Sequence, residues 1–374
     1  MHNVVAEMKK GGQYMNGPRV LEIGEHMLFS RAMPDITEGY FTGYRAPHRR
    51  NLPFFGIRAF LRTLLAARRG DYDLIVVAPP FYPGWRPRSF LAAFKFTVVK
   101  GRPQELWGAL ISPLIFALLR FFPGDRMIAV DRSDSFGLPR HSFFLLDKAR
   151  AFFKRELPID HWQTLYGSGH SRLPGANFRR KSRWQKRIHK LRPIGLGLRA
   201  DLEAAALAAG NAVKRRDVFF AGSIYGNSSV RALVPTQLEA LRAAGVDVDW
   251  PEKTVPRAEF YQRCAEAWLV LSPAGLGWDC YRHVEAALCG SVPLVSAPSI
   301  DRYKPYVIGE QCIAYHPDEN HFVETVTYAL KDKNRLVAMA ASARDHATAH
   351  LTEVAMCRAL LAEFARSGDS SSKS

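Results

Sequence analysis

Short apolar runs rich in β-branched residues alternate along most of the chain with longer stretches of helical periodicity, the pattern of a parallel-sheet α/β protein. In the first half, Arg19–Gly24, Asp73–Pro80 and Met127–Asp131 are predicted strands. Phe54–Gly70, an apolar stretch Leu106–Leu119 and His141–Leu157 are predicted helices between and after them. In the second half Asp217–Gly222 is a strand that feeds a loop of Gly, Ser and Asn, and Val230–Gly245 is a helix stopped by glycine. Val246–Trp250, Trp268–Pro273, Ser291–Ser296 and Cys312–His316 are further strands, with helices over Arg257–Ala267 and Asp279–Gly290. About three helical stretches follow from Asn320 onward.

A length of 374 residues suits about two domains, and 47% hydrophobic residues supply a core for each. Boundaries are expected at 1–195, 196–355 and 356–374, the last a helix and a disordered tail. Charge divides the halves. Residues 1–200 hold 34 Lys and Arg against 14 Asp and Glu, a net +20, and residues 201–374 hold 18 against 21. One half is therefore expected to face a polyanionic partner or surface, whereas a uniformly basic coat for nucleic acid is not. The bias peaks between Trp162 and Ala200, which contains no acidic residue. On a helix, Arg180, Trp184 and Arg187 would share a face, a basic strip over 179–192 suited to an anionic membrane surface and equally to a solvated linker.

Five scattered cysteines with no Cys-x-x-Cys pair point to buried thiols of a reducing compartment rather than to disulfides or zinc. The first twenty residues lack the apolar core of a signal peptide, so a cytoplasmic protein is expected. Leu106–Leu119 is too short to span a bilayer and contains Pro113; it is expected to be a buried helix.

Open α/β sheets bind ligands at the carboxyl ends of their strands. In Ala221–Arg231 the small residues Gly222, Ser223 and Asn227, with the cation Arg231, suit a diphosphate; an ordinary βα turn capped by Ser228 or Ser229 fits as well. In Ser272–Ser296 a loop with Gly275 and Gly277 leads into a helix bearing Arg282 and Glu285 one turn apart. Glu285 can accept both ribose hydroxyls and Arg282 offers a fork to phosphate, although the pair also reads as a surface ion pair.

The run from Arg282 to Val295, RHVEAALCGSVPLV, resembles the nucleotide-sugar signature of GT-B glycosyltransferases, specifically the exostosin-like group and related bacterial proteins. Asp217–Arg231 and Phe152–Leu157 resemble other segments of that group. The resemblance implies an α/β GT-B fold: two facing Rossmann-like domains with parallel sheets and an interdomain cleft. It implies metal-independent sugar transfer from a nucleotide-diphosphate sugar, the donor on the C-terminal domain, to a glycan or lipid-linked acceptor on the N-terminal one. By position Glu285 would hold the ribose with Arg282 close by, and Gly222, Ser223 and Arg231 would line the diphosphate. Many retaining members carry a second glutamate eight positions earlier; here that position is Gly277, which favours inversion.

An inverting transfer needs a base. Asp131 and Asp134 at the end of the Met127–Asp131 strand are the best-placed candidates, although capping the next loop suits each slightly better, and His141 is a weaker third. Trp85 could stack on a sugar, and Tyr303 and Lys304 could reach the donor sugar or leaving phosphate. The tripeptides Asp71–Asp73 and Asp247–Asp249 sit at strand boundaries and are not expected to hold metal. Two other readings remain, a sugar-nucleotide epimerase or phosphorylase of the same fold, and a non-enzymatic polyanion binder.

Overall fold

A computed structural model describes residues 18–25, 27–42, 55–79, 91, 94, 98, 114–138, 142–165, 182–210, 212–224 and 228–369. The sequence expectations at Trp85, His141, Asn227, Arg179–Lys181, 106–113 and 370–374 lie outside the described residues.

The chain forms two all-parallel sheets with flanking helices, the arrangement expected of a GT-B chain. The first holds β1 (Val20–Gly24), β2 (Thr37–Phe41), β3 (Leu74–Ala78), β4 (Met127–Asp131), β5 (Ala151–Lys154) and β6 (Leu191–Pro193), in the order β2-β1-β3-β4-β5-β6. The second holds β7 (Arg216–Phe219), β8 (Val248–Asp249), β9 (Ala267–Ser272), β10 (Val292–Ser296) and β11 (Ile313–Tyr315), in the order β11-β10-β9-β7-β8. Both faces of β1, β3, β4 and β10 are buried, as covering helices require.

Three sequence expectations change. His141–Leu157 is not one helix: a short helix Phe143–Lys148 ends and β5 begins at Ala151. Val230–Gly245 is two helices, Ser229–Ala232 and Val234–Ala243, with Pro235 in the first turn of the second. The basic strip is also not a surface helix with an aromatic edge. Ser182–Lys190 is a 3₁₀ segment, and Trp184 is buried against the Phe143 ring, 5.9 Å between centroids. Arg187 pairs with Asp147 at 2.7 Å, and Lys190 donates to the carbonyls of Asp147 (3.1 Å) and Ala149 (2.8 Å). Three of the strip's side chains thus serve the fold.

The chain passes between the sheets near 194–199 and returns near 351–353, where the Leu198 and Glu353 N–H groups donate to the Leu351 and Leu198 carbonyls at 3.1 and 2.9 Å. The helix Glu353–Asp369 then packs on the first sheet, Met356, Cys357 and Leu360 lying among Val20, Phe29, Ile128 and Val130. The buried Glu353 carboxylate receives Arg31 and, at 3.3 Å, Arg132. A second tie runs through Asp301, whose N–H donates to the Leu157 carbonyl at 2.8 Å and whose carboxylate meets His161 at 3.1 Å.

Candidate functional site

From β7 the second sheet grows outward to β8, then returns to the other side of β7 at β9. That reversal is a topological switch point, where the loops after two adjacent strands diverge and leave a crevice. A cleft of about 1170 Å³ opens there, lined among others by Gly222, Ser223, Trp250, Arg257, Arg282 and Glu285. The Ser228 hydroxyl ties the two loops together, donating to the Ala274 carbonyl at 2.7 Å, and the Ala274 N–H donates to the Ser296 hydroxyl at the end of β10 at 3.1 Å. The Ser228 hydroxyl also accepts from the Arg231 N–H at 3.3 Å, capping its short helix.

Arg282 and Glu285 both lie on the helix Tyr281–Leu288 and both are buried; they form no surface ion pair. Arg282 Nη2 donates to the Ala221 carbonyl at 2.8 Å, and the guanidinium lies 5.2 Å from the Phe220 ring centroid. Its Nε and Nη1 are buried without partners among the described residues. A buried donor left unsatisfied costs stability in the empty protein, and because both atoms are covered a cleft acceptor recovers that cost only with a small shift of the guanidinium. A Cβ on Gly222 would overlap Arg282 Nη2, so a side chain there would displace the guanidinium.

The Glu285 carboxylate is held from the neighbouring helix Arg257–Glu266. Arg257 Nη1 and the Tyr261 hydroxyl both donate to Oε1, at 2.7 and 3.1 Å. Burial raises its pKa, and Arg257 and Tyr261 work against that rise. Neither partner was expected from the sequence, since nothing in local spacing links 257 or 261 to 285. Arg231 joins the same two loops: its guanidinium donates to the Ser223 carbonyl at 3.4 Å and lies 3.9 Å from the Cys280 sulfur. A Cβ on Gly275 would come within 2.8 Å of it. The buried Tyr315 hydroxyl, without a partner, has its pKa raised by burial against the pull of both Arg282 and Arg231. Gly222, Ser223, Arg231, Gly275, Arg282 and Glu285 are therefore gathered at one place.

Gly277 and Lys304 stand elsewhere. At Gly277 a Cβ would collide with the Arg155 guanidinium and the Glu156 carboxylate, both from the first half of the chain. Glu156 is fully buried and accepts from the Trp278 and Asp279 N–H groups at 2.8 and 3.0 Å. Lys304 is exposed, has a left-handed φ of 41° and lines a separate cavity of about 50 Å³ beside the chain crossings, with His283, Tyr303 and Met356. It is not brought to Glu285.

Of the proposed bases, Asp131 is engaged in a buried ion pair with Lys154, 3.0 Å, and its other oxygen accepts from the Ser133 N–H at 2.9 Å. Burial would raise its pKa, but Lys154 and the Ser133 bonds prevail and hold it below the usual carboxylate value. That favours a structural anchor over a base. Asp134 is more open, its side chain 43% exposed, and pairs with Arg155. Asp71 pairs with Arg69 at 3.4 Å, Asp73 accepts from the Arg19 N–H at 2.8 Å, Asp247 meets Arg216 at 3.1 Å and Asp249 meets Arg263 at 2.9 Å.

His283 also lies on the Tyr281–Leu288 helix, buried against Trp278 with its Nε2 3.1 Å from that residue's carbonyl. Burial lowers its pKa to about 4. The unfolded imidazole takes a proton near pH 6.5 that the folded one refuses until about pH 4, so stability should fall as pH drops through that window. Urea unfolding at pH 7 and pH 4.5 should differ by about 2–3 kcal/mol from this group, a difference that His283→Gln should remove. An equal drop in the variant would clear His283 of the effect.

No protein-family model matches the chain, and no curated protein matches it. Solved structures do. Sucrose-phosphate synthase from Thermosynechococcus elongatus is 11% identical, with 94% of this chain and 100% of that one covered at a TM-score of 0.49. Anabaena HepE in complex with UDP is 12% identical, covering 93% and 100% at 0.47. Acinetobacter baumannii MurG is 11% identical, covering 94% and 100% at 0.42.

Proposed function

We propose that this chain is a glycosyltransferase of the exostosin-like kind, moving a sugar from a nucleotide-diphosphate sugar to a glycan or lipid-linked acceptor with inversion and without a bound metal. Residues 196–355 would hold the donor and residues 1–195 the acceptor, with the helix Glu353–Asp369 closing the first domain. The protein would act in the cytoplasm, at the inner face of a membrane.

The observation that carries this reading is the Arg282 guanidinium, buried with two unpartnered donor atoms in the same cleft as a carboxylate fixed by Arg257 and Tyr261. A diphosphate satisfies the first and a ribose the second. As the glycosidic bond to phosphate breaks, negative charge collects on the leaving diphosphate. Arg282 and Arg231 would stabilise it there, already oriented and so without reorganisation at the moment of reaction. The acceptor hydroxyl attacks the anomeric carbon from the side opposite the diphosphate, and Asp134 would take its proton.

Calorimetric titration with UDP, GDP, ADP and CMP tests the reading, and failure of all four to bind would refute it. With the nucleotide that binds best, Glu285→Gln should weaken donor affinity by about 1–3 kcal/mol while the fold is kept. Unchanged affinity would leave Glu285 a packing residue of the two helices.

A further inference from the structure

The helix Ile57–Arg69 carries apolar side chains on two sides. Phe60, Thr63, Ala66 and Ala67 are buried against the first sheet. On the outer side Ile57, Leu61 and Leu65 are 59%, 53% and 58% exposed. Spaced four apart, they form one continuous stripe along the helix. At the helix end Arg68 donates to the Phe121 carbonyl at 3.4 Å, which sets a further exposed apolar residue, Phe121 at 55%, beside the last turn. Single exposed leucines are ordinary on a protein surface; a row of them joined to an aromatic marks a contact.

Charge selects the contact. The helix contains Arg58, Arg62, Arg68 and Arg69 and no Asp or Glu. Helical spacing puts Arg58, Arg62 and Arg69 in a row beside the apolar stripe, with Arg68 at its end. Arg62 and Arg69 meet Glu38 and Asp71 at 3.0 and 3.4 Å with their side chains 66% and 70% exposed. Such exposed pairs are weak and exchange readily for another anion. Acidic protein surfaces would satisfy the arginines but leave the leucines wet, whereas an anionic bilayer offers phosphate at the level of the arginines and acyl chain just beneath. Leu91, Phe94 and Val98, three helical positions spaced three and four apart, are also exposed in this half of the chain.

We infer that the Ile57–Arg69 helix, with Phe121, is the face by which this protein lies on an anionic lipid surface, its leucine stripe entering the headgroup boundary and its arginines holding lipid phosphates. The inference rests on the membrane part of the proposed function and replaces the basic strip around Trp184 as the contact. Its location in the first half would present that half to a lipid-linked acceptor while the donor cleft on the second sheet stays open to water.

Flotation of the full chain on phosphatidylglycerol–phosphatidylcholine vesicles, against phosphatidylcholine alone, tests it. The protein should float with the anionic vesicles and remain below with the neutral ones. Leu61→Gln/Leu65→Gln should reduce the floating fraction by about 10-fold or more, with the melting temperature unchanged, and Leu61→Ala/Leu65→Ala should do so to a lesser degree. Nucleotide titration of the same preparations should match wild type, so failure of donor binding and failure of membrane contact are read separately. Wild type that does not float, or a double variant that floats as well as wild type, overturns the inference. So does a vesicle-free dimer that the double variant dissociates, since the stripe would then be covered by a second copy.

Discussion

Replacing Glu156 with alanine should lower the unfolding free energy by about 3–5 kcal/mol, the cost of breaking a buried ion pair from one side. Glu156 is fully buried, receives the Trp278 and Asp279 N–H groups, and lies 3.3 Å from the Arg155 Nε. Without it two backbone donors are stranded, and Arg155, itself buried, keeps among the described residues Asp134 and the carbonyls of Arg132 and Asp279. Burial raises the Glu156 pKa despite Arg155 and the two N–H groups. Its folded form therefore binds a proton more readily than its unfolded form, and its contribution weakens as pH climbs just above 4.5, opposite in sign to His283. Glu156→Gln keeps an acceptor for the loop and should recover part of the loss. Because the loop that Glu156 grips also carries Gly275 against Arg231, nucleotide affinity should fall in the same variant. Denaturant unfolding settles the stability claim; a loss below about 1 kcal/mol, the scale of a surface contact, would show that Glu156 does not lock the two halves.

That lock also marks where sequence reading stops. The strands buried on both faces are legible because Leu74–Ala78 and residues 127–130 and 292–295 are continuous apolar runs. The edge strands Thr37–Phe41 and Leu191–Pro193 carry no such run and give no strand signal. Strand β5 was hidden differently. Its two phenylalanines continue the helical spacing of Phe143–Lys148, and its Lys154 looks like a solvent-facing helical residue. Lys154 is instead fully buried because Asp131 on the adjacent strand neutralises it, a contact between positions 23 apart. The site divides along the same line. Arg282 and Glu285 could be singled out by their place at a strand's carboxyl end, on a helix opening from a glycine loop. Their partners Arg257, Tyr261 and Ala221 belong to other elements, and the niche at Gly277 has meaning only once Glu156 is seen to fill it.

Arg282→Met should cost about 2–5 kcal/mol of nucleoside diphosphate affinity while leaving the affinity of the corresponding nucleoside nearly unchanged. Arg282 is fixed before any ligand arrives, by its bond to the Ala221 carbonyl and its stack on Phe220. Nε and Nη1 are covered in the empty protein, so a small shift of the guanidinium toward the cleft would let a ligand phosphate gain charge-assisted hydrogen bonds to them at little cost in side-chain ordering. Methionine fills much of the same space over the Phe220 ring, which limits the effect on folding. Arg282→Lys separates charge from geometry: an ammonium keeps the attraction but loses the planar fork, and should recover less than half of the lost binding. If instead lysine restores full affinity, Arg282 acts as a diffuse cation, and the donor phosphates rest chiefly on Arg231 and the backbone of the Gly222 loop. If methionine itself binds the diphosphate as tightly as wild type, the buried guanidinium faces no phosphate, and the assignment of this cleft to a nucleotide donor falls with it.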